Sequence, residues 1–484
     1  MRTFLKAAVA ATMAFAPFSA GAQTATPAAA PEVVVRTSDL RPDQTAFRDL
    51  YRELVETNTT LSAGSCTTAA QRMAMRLRAA GYPEADVQVV VPPDHPNFGA
   101  VTAVLHGSDR SARPILLLAH INVVEARRAD WERDPFTLVE EGGYFYARGA
   151  SDDKAQAAVW VDSLIRYRQE GFRPRRDIKL ALTCGEETSD TFDGANWLVR
   201  NRRELVDAGF ALNEGAGGRL DAAGNRVALE VQGGEKVYQD FTLITTNPGG
   251  HSSRPVRDNA IYNMAAALDR LQAYDFAPRY NDTTRAYFTA LAGVTPGAIA
   301  ADLRAVGTGN GTPEQIARVA AADPTWNSTL RTTCVATMMT AGHAPNALPQ
   351  RAEANVNCRI FPGHPVAEVQ AELQRIFNDP RIAITRVGEL SPTSPAPPLN
   401  DAIMGPVRQL AARMFPGVPI IPTQTTGATD GRFLNAAGIP TYGVSGMFVD
   451  PDAGHIHGLN ERIRVRSLYE GRDFLYELVK LYAG

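Results

Sequence analysis

The stretch ILLLAHINVV, residues 115–124, opens with a wholly apolar run that is followed at once by a histidine. A second compact and mostly apolar run, IKLALT, occupies residues 178–183, and residues 155–167 between the two runs carry apolar side chains at helical spacing. Runs of this kind are typical of strands that are buried on both faces of a parallel sheet. The strand–helix–strand rhythm therefore predicts an α/β fold for this part of the chain.

Outward from this stretch, the α/β pattern extends over residues 38–233 and is then interrupted. From residue 234 to 389 the order of predicted elements is β-α-β-β-α-β, which indicates a small ferredoxin-like domain. These elements are strands at 237–245, 332–339, 352–361 and 382–387, helices at 259–271 and 366–377, and a helical insertion at 274–327. Residues 390–484 begin with a Pro/Ser-rich linker, resume helix and strand, and are too short for a comfortable core of their own. We therefore predict one α/β domain that is interrupted by an inserted α+β domain.

The N-terminus has the pattern of an export signal. Two basic residues precede an apolar stretch from Ala7 to Phe15, and the small residues Ala20-Gly21-Ala22 form a cleavage site. The apolar stretch is too short to anchor the chain in a bilayer. The Ala/Pro-rich residues that follow predict a disordered leader at 23–37. We expect a signal peptide at 1–22, a secreted and periplasmic protein, and no membrane contact after cleavage.

Charge and cysteine content exclude two classes of protein. The net charge of −3 becomes −5 when the two basic residues of the signal are removed, whereas a nucleic-acid-binding surface needs a basic face. Four cysteines are too few for a disulfide scaffold, and they lack the close pairs of a Cys-type zinc site. Cys184 lies in an apolar run, which predicts a buried and inert thiol. Whether Cys334 and Cys358 are bridged stays open.

Polar side chains that can bind metal ions lie where predicted strands end or in polar loops beside them. They are His120, Asp152, Glu186, Glu187, Glu214 and His457. In open α/β sheets, ligands bind outside the carboxyl ends of the strands. Imidazole nitrogens mixed with carboxylate oxygens suit zinc. The set therefore predicts a metal site at this edge of the sheet.

Each of these residues also has a purely structural explanation. A histidine after a strand is usually a hydrogen-bonded loop residue, and Asp153-Lys154 fits a helix start where the dipole favours an acid. Adjacent glutamates are usually solvated, but Glu186-Glu187 end a strand as apolar as 178–184, where surface acids are less expected. The structural explanation is favoured for any single residue, and the metal site is favoured for the ordered set.

Short motifs follow one another in order along the chain. They are LAHINVV at 118–124, RGASDDK at 148–154, GEE at 185–187, NEG at 213–215, GHSS at 250–253, NALP at 346–349, GATD at 427–430 and HGLNE at 457–461. This ordered set resembles the di-zinc aminoacylase/carboxypeptidase family, which includes glutamate carboxypeptidase, acetylornithine deacetylase, succinyl-diaminopimelate desuccinylase and carnosinase-type dipeptidases. The resemblance spans nearly the whole mature chain. It implies a zinc-exopeptidase-like catalytic domain with an inserted ferredoxin-like dimerisation, or lid, domain.

The resemblance also implies two zinc ions per subunit that share the carboxylate of Asp152, with cobalt or manganese as possible substitutes. The other ligands would be His120 and Glu214 on one ion, and Glu187 and His457 on the other. Two such ions can share a water molecule and lower its pKa towards neutrality. Glu186 would act as the general base, because one glutamate of the pair must bind metal while its neighbour stays free.

The predicted inserted domain carries residues that the resemblance assigns to substrate binding. His251 would reach the active site of a partner subunit and donate to the developing oxyanion, which implies a homodimer. Asn346 and Arg359 resemble residues that hold a substrate carboxylate, and a planar guanidinium suits that group. Asp430, in the later GATD motif, is also predicted to bind substrate. As alternatives, His251 could cap the following helix and Arg359 could be a surface strand residue.

Two details of the metal-binding loops are specific expectations. The family usually has aspartate two residues after the first metal-binding histidine, where this chain has Asn122. An asparagine can accept the imidazole N–H through its amide oxygen but lacks the negative charge, which predicts a weaker first metal site and leaves a catalytically poor homologue open. The resemblance further implies a cis peptide bond between Asp152 and Asp153.

The predicted function is the metal-dependent hydrolysis of an amide bond in a small peptide or an N-acyl amino acid. One alternative is a secreted protein that binds peptides without cleaving them, and another is a single-metal esterase or lactamase. The presence of Glu186 argues against a binding protein, which needs no base, and the bridging position of Asp152 argues against a single metal ion. The sequence does not distinguish a carboxypeptidase from a dipeptidase or an aminoacylase.

Overall fold

The computed structural model describes residues 40–188, 191–388 and 391–484, and the predicted signal peptide and leader lie outside these residues. The helices are α1 (Pro42–Val55), α2 (Cys66–Ala79), α3 (Lys154–Gln169), α4 (Gly194–Asn201), α5 (Arg203–Val206), α6 (Ala260–Gln272), α7 (Asp282–Val294), α8 (Ile299–Gly307), α9 (Pro313–Ala322), α10 (Pro324–Leu330), α11 (Val366–Phe377), α12 (Asp401–Met414), α13 (Gly431–Ala436) and α14 (Val465–Ala483). Across the described residues, no helix is long and apolar enough to cross a membrane.

The strands range in length from two to ten residues. They are β1 (Val87–Val90), β2 (Ala100–Leu105), β3 (Ile115–His120), β4 (Val139–Glu141), β5 (Tyr144–Tyr146), β6 (Ile178–Thr183), β7 (Phe210–Asn213), β8 (Gly218–Leu220), β9 (Arg226–Glu235), β10 (Val237–Thr246), β11 (Gly250–His251), β12 (Thr333–Ala341), β13 (Ala347–Leu348), β14 (Arg351–Ile360), β15 (Ala383–Arg386), β16 (Ile420–Thr425), β17 (Thr441–Gly443), β18 (Phe448–Val449) and β19 (Arg462–Arg464).

The largest sheet has ten strands, and the strand–helix–strand unit predicted from the sequence lies at its centre. The strand order is β1-β2-β6-β3-β7-β17-β9-β8-β18, with β16 beside β9. β3 is parallel to both of its neighbours, β6 and β7, whereas β2 runs antiparallel to β6 at the outer side. Helix α3 lies on the chain between β3 and β6 and provides the crossover that parallel strands need. The predicted α/β class is confirmed.

β3 occupies the centre because it can bury side chains on both faces. All six of its residues are buried. Ile115 and Leu117 belong to the core that includes α1, α3 and α14, whereas Leu116 and Leu118 belong to a separate core with α4 and α13. Complete burial of one leucine side chain contributes about 1.5–3 kcal/mol to the stability of the fold. Because successive side chains of a strand point to opposite faces of the sheet, the leucines of β3 stabilise the cores on both faces. The apolar run therefore determines the position of His120, which ends the strand.

A second sheet is formed by the segment that interrupts the α/β pattern. Its four antiparallel strands have the order β12-β14-β10-β15, which is the arrangement of a ferredoxin-like unit. α6 and α11 cover one face and share a core with β10 and β14. Helices α7 to α10 have a small core of their own within the predicted helical insertion. The boundaries of the inserted domain, at 234 and 389, stay predictions.

All four cysteines are paired. Cys334 and Cys358 are cross-strand neighbours on β12 and β14 and form one disulfide, which the sequence had left open. Cys66, the first residue of α2, is bonded to Cys184, so the prediction of a free thiol at Cys184 was wrong. The run that contains Cys184 is buried as expected, but the start of α2 packs against the end of β6 and brings the two sulfur atoms together. A separation of 118 residues gave no local sign of this contact.

Candidate metal centre

Four of the predicted residues lie at the carboxyl ends of neighbouring parallel strands. His120 is the last residue of β3, and it pairs in register with Thr183, the last residue of β6. Glu186 and Glu187 follow β6 in a short 3-10 turn, and Glu214 directly follows β7. Because these strands are parallel and in register, their ends meet at one edge of the sheet.

Two loops bring the remaining candidates to the same edge. Asp152 lies in the polar loop before α3, and its peptide bond to Asp153 is cis, which confirms that expectation. His457 lies in the loop between β18 and β19 and has a positive φ of 61°. The two loops come from opposite ends of the α/β pattern, so their meeting depends on the whole fold.

Asp152 lies between two histidines. Its Oδ1 atom is 3.0 Å from Nε2 of His120, and its Oδ2 atom is 3.1 Å from Nε2 of His457. Glu214 lies on the first side, with Oε1 3.7 Å from Nε2 of His120. Glu187 lies on the second side, with Oε1 2.8 Å from Nε2 of His457. The cluster therefore has two halves that share one carboxylate.

The cluster concentrates negative charge in a poorly hydrated place. Burial and the neighbouring Glu214 raise the pKa of Glu186 well above its usual range, and burial also raises the pKa of Glu214. Burial opposes ionisation of His120, but the carboxylates of Glu214 and Asp152 outweigh it and raise the pKa of this imidazole. Hydrogen bonds to Asp152 and Glu187 raise the pKa of His457 to about 10. In the metal-free protein, the neighbouring carboxylates therefore favour the protonated form of both histidines.

The donor atoms fit divalent metal ions. Two groups of potential ligands have donor atoms within 4.8 Å of one another: His120 with Glu186 and Glu214, and His120 with Asp152 and Glu187. Imidazole and carboxylate donors are those that zinc, cobalt and manganese accept in proteins. Divalent ions would also neutralise the carboxylates whose repulsion raises the pKa values. Glu186 and Glu214 both have a carboxylate oxygen within 4.8 Å of His120, so the division of these acids into ligands and base stays a prediction.

The ring of His120 is oriented by the main chain and not by the side chain of Asn122. The Nδ1–H of His120 donates to the backbone carbonyl of Asn122 over 3.0 Å. The amide oxygen of Asn122 instead accepts the N–H of Gly185 over 2.8 Å, and its buried amide nitrogen has no hydrogen-bond partner among the described residues. The expectation that the asparagine amide would accept the imidazole N–H was therefore wrong. A carbonyl acceptor still leaves Nε2 of His120 free to bind a metal ion.

His251 lies on the short strand β11, and Asn346 directly precedes β13, the strand with which β11 pairs. His251 is paired with Ala347, and the carbonyl of Asn346 accepts the N–H of Ser252 over 3.0 Å. Nδ1 of His251 accepts the N–H of Ser253 over 3.1 Å, so the neutral ring carries its proton on Nε2. His251 is exposed, and among the described residues it has no hydrogen bond or ion pair with the metal-binding candidates. Its catalytic role stays a prediction.

The other two predicted substrate-binding residues have different surroundings. Arg359 is half-buried on β14, and its guanidinium lies over the ring of Tyr238 at 4.6 Å from the centroid. Asp430 is only 1% exposed, and its Oδ2 atom accepts the hydroxyl of Thr183 over 2.8 Å. Burial and the nearby Asp193 raise the pKa of Asp430. Asp430 is therefore buried beside the end of β6, and its role in substrate binding stays a prediction.

The sequence did not indicate the residue that organises the loop of Asp152. Glu461 is wholly buried, and its carboxylate accepts hydrogen bonds from Arg148 and from three backbone N–H groups of the same loop. The HGLNE motif at 457–461 does contain this residue. A buried acid whose partners lie about 310 residues away in the chain has no local pattern that would reveal them.

Comparisons with known proteins agree with this geometry. Residues 116–481 match the model of "Peptidase family M20/M25/M40". The chain is 31% identical over 387 residues to N-fatty-acyl-amino acid synthase/hydrolase PM20D1 of Homo sapiens, covering 78% of this chain and 75% of that protein. It is 24% identical over 397 residues to Aminoacylase-1 of Mus musculus, covering 80% of this chain and 85% of the relative.

Solved structures share the fold. The M20 family metallo-carboxypeptidase Sso-CP2 from Sulfolobus solfataricus superimposes with a TM-score of 0.66 at 18% identity, covering 92% of this chain and 100% of that chain. YXEP of Bacillus subtilis, described as a dinuclear metal-binding peptidase from the M20 family, superimposes with a TM-score of 0.58 at 12% identity, covering 91% of this chain and 98% of its own.

The fold and the cluster define a metal-dependent hydrolase of the peptidase and amidohydrolase class. Within that class, the chain belongs to peptidase family M20/M25/M40. The predicted family and the predicted amide hydrolysis are thereby confirmed, and the alternative of a peptide-binding protein receives no support.

Proposed function

We propose that the chain is a secreted two-zinc hydrolase that cleaves the amide bond of N-acyl amino acids and small peptides. The observation that carries this proposal is the position of Asp152, whose two oxygens face different histidines at 3.0 and 3.1 Å. A carboxylate in that position can bridge two metal ions. The proposed ligands are His120, Glu214 and Asp152 for the first ion, and Glu187, His457 and Asp152 for the second.

The chemistry would divide between the ions and the protein. When bound, two divalent ions would lower the pKa of a shared water and polarise the scissile carbonyl. Glu186 would take the proton of that water and deliver it to the leaving amine. Burial raises the pKa of Glu186 in the metal-free cluster, and two cations beside it would lower this pKa again towards the value that a base near neutral pH needs.

Substrate recognition would come from the segment that carries β11 to β14. Arg359 offers a guanidinium for the free carboxylate of an amino-acid substrate, and burial lowers its pKa without removing its charge. Asn346 lies next to β13 and could donate to the same group. His251 has its Nε2–H available for the developing oxyanion, because Nδ1 is occupied by Ser253. Asp430 would act indirectly, through Thr183.

N-acyl amino acids are the substrates that we would assay first. Two relatives in the comparisons are named as an N-fatty-acyl-amino acid synthase/hydrolase and as an aminoacylase. One structural neighbour is a carnosine dipeptidase, which keeps dipeptides in the panel. The deciding experiment measures hydrolysis of N-acyl amino acids of increasing acyl length and of dipeptides, after chelation and after return of zinc, cobalt or manganese. Activity that survives complete chelation, or the absence of any activity with two bound zinc ions, would contradict the proposal.

A homodimer is proposed through the edge strand β12. This strand lies at one end of the four-stranded sheet and exposes large apolar side chains, namely Val335 at 59%, Met338 at 70% and Met339 at 45%. An exposed apolar edge strand invites pairing with a second strand. Antiparallel pairing of two copies across a twofold axis would cover it. Light scattering coupled to gel filtration tests the mass, and Met338→Lys should shift it towards the monomer.

Export to an oxidising compartment is supported by the cysteines. Both disulfides, Cys66–Cys184 and Cys334–Cys358, would be unusual in a reducing cytosol. The proposed signal peptide, residues 1–22, lies outside the described residues. N-terminal sequencing of the mature protein tests the proposal, and we expect it to begin at Gln23. A mature protein that retains Met1 in the cytosolic fraction would contradict export.

A further inference from the structure

The carboxylate of Glu461 gathers the loop that carries Asp152. Oε2 accepts Nη1–H of Arg148 over 2.7 Å and the N–H of Gly149 over 3.0 Å. Oε1 accepts the N–H of Ser151 over 2.9 Å and the N–H of Asp152 itself over 3.0 Å. Four N–H donors therefore converge on one buried acid, and all of them belong to residues 148–152. Glu461 therefore fixes the backbone of Asp152, whose side chain is the proposed bridge between the two metal ions.

Arg148 extends this network to the other metal-binding loop. Its Nη2–H donates to the carbonyl of Gly458 over 2.8 Å, and Gly458 directly follows His457. Arg148 is 2% exposed, and its guanidinium lies over the ring of Trp131 at 5.0 Å from the centroid. A planar guanidinium with two sets of N–H donors can hold two partners at a fixed separation. The Arg148–Glu461 pair thus connects the loop of Asp152 with the loop of His457.

The loop of His457 needs such external support because its backbone is in an unfavourable conformation. Four residues without a glycine's freedom have positive φ angles: Ala453 at 54°, His455 at 57°, His457 at 61° and Asn460 at 56°. Conformations of this kind persist only where the surroundings hold them, and they cluster at functional sites. The tie from Arg148 to Gly458 falls between the last two of these residues.

We infer that Arg148 and Glu461 are positioning residues that set the separation of Asp152 and His457, and with it the affinity of the second metal ion. This inference rests on the proposed two-zinc function. A buried ion pair by itself is weak evidence for stability, because apolar side chains of similar size often serve as well. The directional bonds to the two loops are what an apolar replacement could not supply. Partners that orient metal ligands in this way typically change metal affinity or activity by about 10–100-fold when they are lost.

The test uses two variants and one matched control in the full-length mature protein. Glu461→Gln keeps the shape but removes the charge, and Arg148→Lys keeps the charge but removes the planar set of donors. The control is Asp162→Asn, which alters a buried ion pair of the same kind, Asp162 with Arg472 at 2.8 Å, between α3 and α14. Zinc affinity is measured by competition with a chelating dye that resolves two binding steps. Unfolding temperatures in chelator and the kcat and KM for an N-acyl amino acid are measured in parallel.

We expect both variants to weaken the binding of one zinc ion by about 10–100-fold and that of the other, which shares Asp152, by a smaller factor. Their kcat should fall at limiting zinc and recover in excess zinc, with KM little changed. The control should lower the unfolding temperature in chelator and leave both zinc affinities unchanged. Unchanged zinc affinities in both variants, or a control that loses zinc to the same extent, would overturn the positioning inference and leave the proposed two-zinc function standing.

The failure of the proposed function has a different signature. A wild-type protein that binds fewer than two zinc ions would overturn the proposed function and the positioning inference together. If neither variant folds while Asp162→Asn does, the Arg148–Glu461 pair is required for folding and the positioning inference is overturned. The chelator measurements separate these cases, because they report on the fold without the metal.

Discussion

The backbone carbonyl of Asn122 accepts the Nδ1–H of His120 over 3.0 Å, two residues further along the chain. The acceptor that fixes this imidazole is therefore independent of the side chain at position 122. The amide oxygen of Asn122 accepts a hydrogen bond from a different group, the N–H of Gly185, which lies directly before Glu186. The residue that departs from the family pattern thus connects the end of β3 with the turn that carries the proposed base.

Replacement of Asn122 should affect turnover more than metal binding. In Asn122→Ala the buried N–H of Gly185 loses its acceptor, which costs about 1–3 kcal/mol. We expect a lower unfolding temperature and a reduced kcat, with zinc content unchanged. Asn122→Asp retains the acceptor and should keep kcat within about threefold of the wild type, since the lost amide nitrogen has no partner. Loss of zinc from Asn122→Ala would show that the side chain does support the metal site.

The adjacent acids Glu186 and Glu187 should separate catalysis from metal binding. Glu186→Gln should keep two zinc ions and lower kcat by about 10²–10⁴-fold, because it removes the proposed general base. Glu187→Gln should release zinc, since Glu187 lies 2.8 Å from His457 in the second half of the cluster. Metal analysis and kinetics on the same preparations check both outcomes. Near-normal turnover in Glu186→Gln would exclude it as the base.

The sequence predicted the elements whose signals are local. The strand at 178–183 and the helix at 366–377 have the bounds that were expected, because their apolar periodicity is uninterrupted. β3 continues one residue beyond the predicted run and includes His120 itself. The ordered motifs predicted the family correctly. Each motif is a short local signal at a strand end or in a loop, so it can be read without knowledge of the fold.

The parts that the sequence did not predict depend on contacts between distant segments. Cys66 and Cys184 are separated by 118 residues, and neither lies in a pattern that indicates its partner. The partners of Glu461 lie on a loop from the first half of the chain. The orientation of His120 depends on a backbone carbonyl, which every residue type possesses. These relationships are set by tertiary packing between segments that are far apart in the sequence.

Zinc should stabilise the protein more strongly as the pH rises. Pairing with Asp152 and Glu187 raises the pKa of His457 to about 10 in the metal-free cluster. The unfolded-state pKa is about 6.5, so the ion pairing stabilises the metal-free fold fully below pH ~6.5 and is lost as the pH approaches 10. Metal binding requires the neutral ring and replaces that proton. We therefore expect the difference in unfolding temperature between zinc-loaded and chelated protein to increase from pH 6.5 to 9.

The control for this effect is another histidine on the same loop. His455→Ala removes a ring that contacts Asp452 at 3.3 Å and should leave the pH dependence intact. His457→Ala should remove most of the pH dependence of the difference in unfolding temperature between zinc-loaded and chelated protein. The side chain of His457 is 52% exposed, so solvent screens part of the pairing and the stability change should be modest. A difference that becomes smaller with rising pH would contradict the protonated pairing of His457.

The two disulfides should differ in their importance for activity. Cys184 lies two residues before Glu186, whereas the Cys334–Cys358 bridge joins β12 to β14. The 118-residue separation of the first pair, against 24 for the second, predicts that the first bridge stabilises the fold more by about 1.4 kcal/mol, because it removes more chain entropy from the unfolded state. The double variant Cys66→Ser with Cys184→Ser should lower both kcat and unfolding temperature more than Cys334→Ser with Cys358→Ser. Equal effects on kcat would show that the first bridge does not position the catalytic turn.

A mixture of two inactive variants should recover activity if His251 serves the partner's site. His251 is exposed in the single chain and has no contact with the metal-binding candidates among the described residues. In a dimer that pairs a Glu186→Gln subunit with a His251→Ala subunit, one of the two sites contains both Glu186 and His251. Random exchange makes half of the dimers mixed, so a symmetric dimer predicts recovery to about a quarter of the wild-type activity.

The competing arrangement is a monomer in which the segment with β11 folds over its own metal cluster, so that His251 acts in the same chain. In that case each chain in the mixture carries its own defect, with or without a partner, and the mixture stays as inactive as its parents. Two affinity tags allow the mixed dimer to be purified, which removes incomplete exchange as a cause of low activity. Absence of recovery in the purified mixed dimer, or a monomeric mass at the assay concentration, would rule out the shared site. Recovery would show that His251 contributes to the active site of the partner subunit, because the only site with an intact Glu186 in the mixed dimer receives its His251 from the other chain.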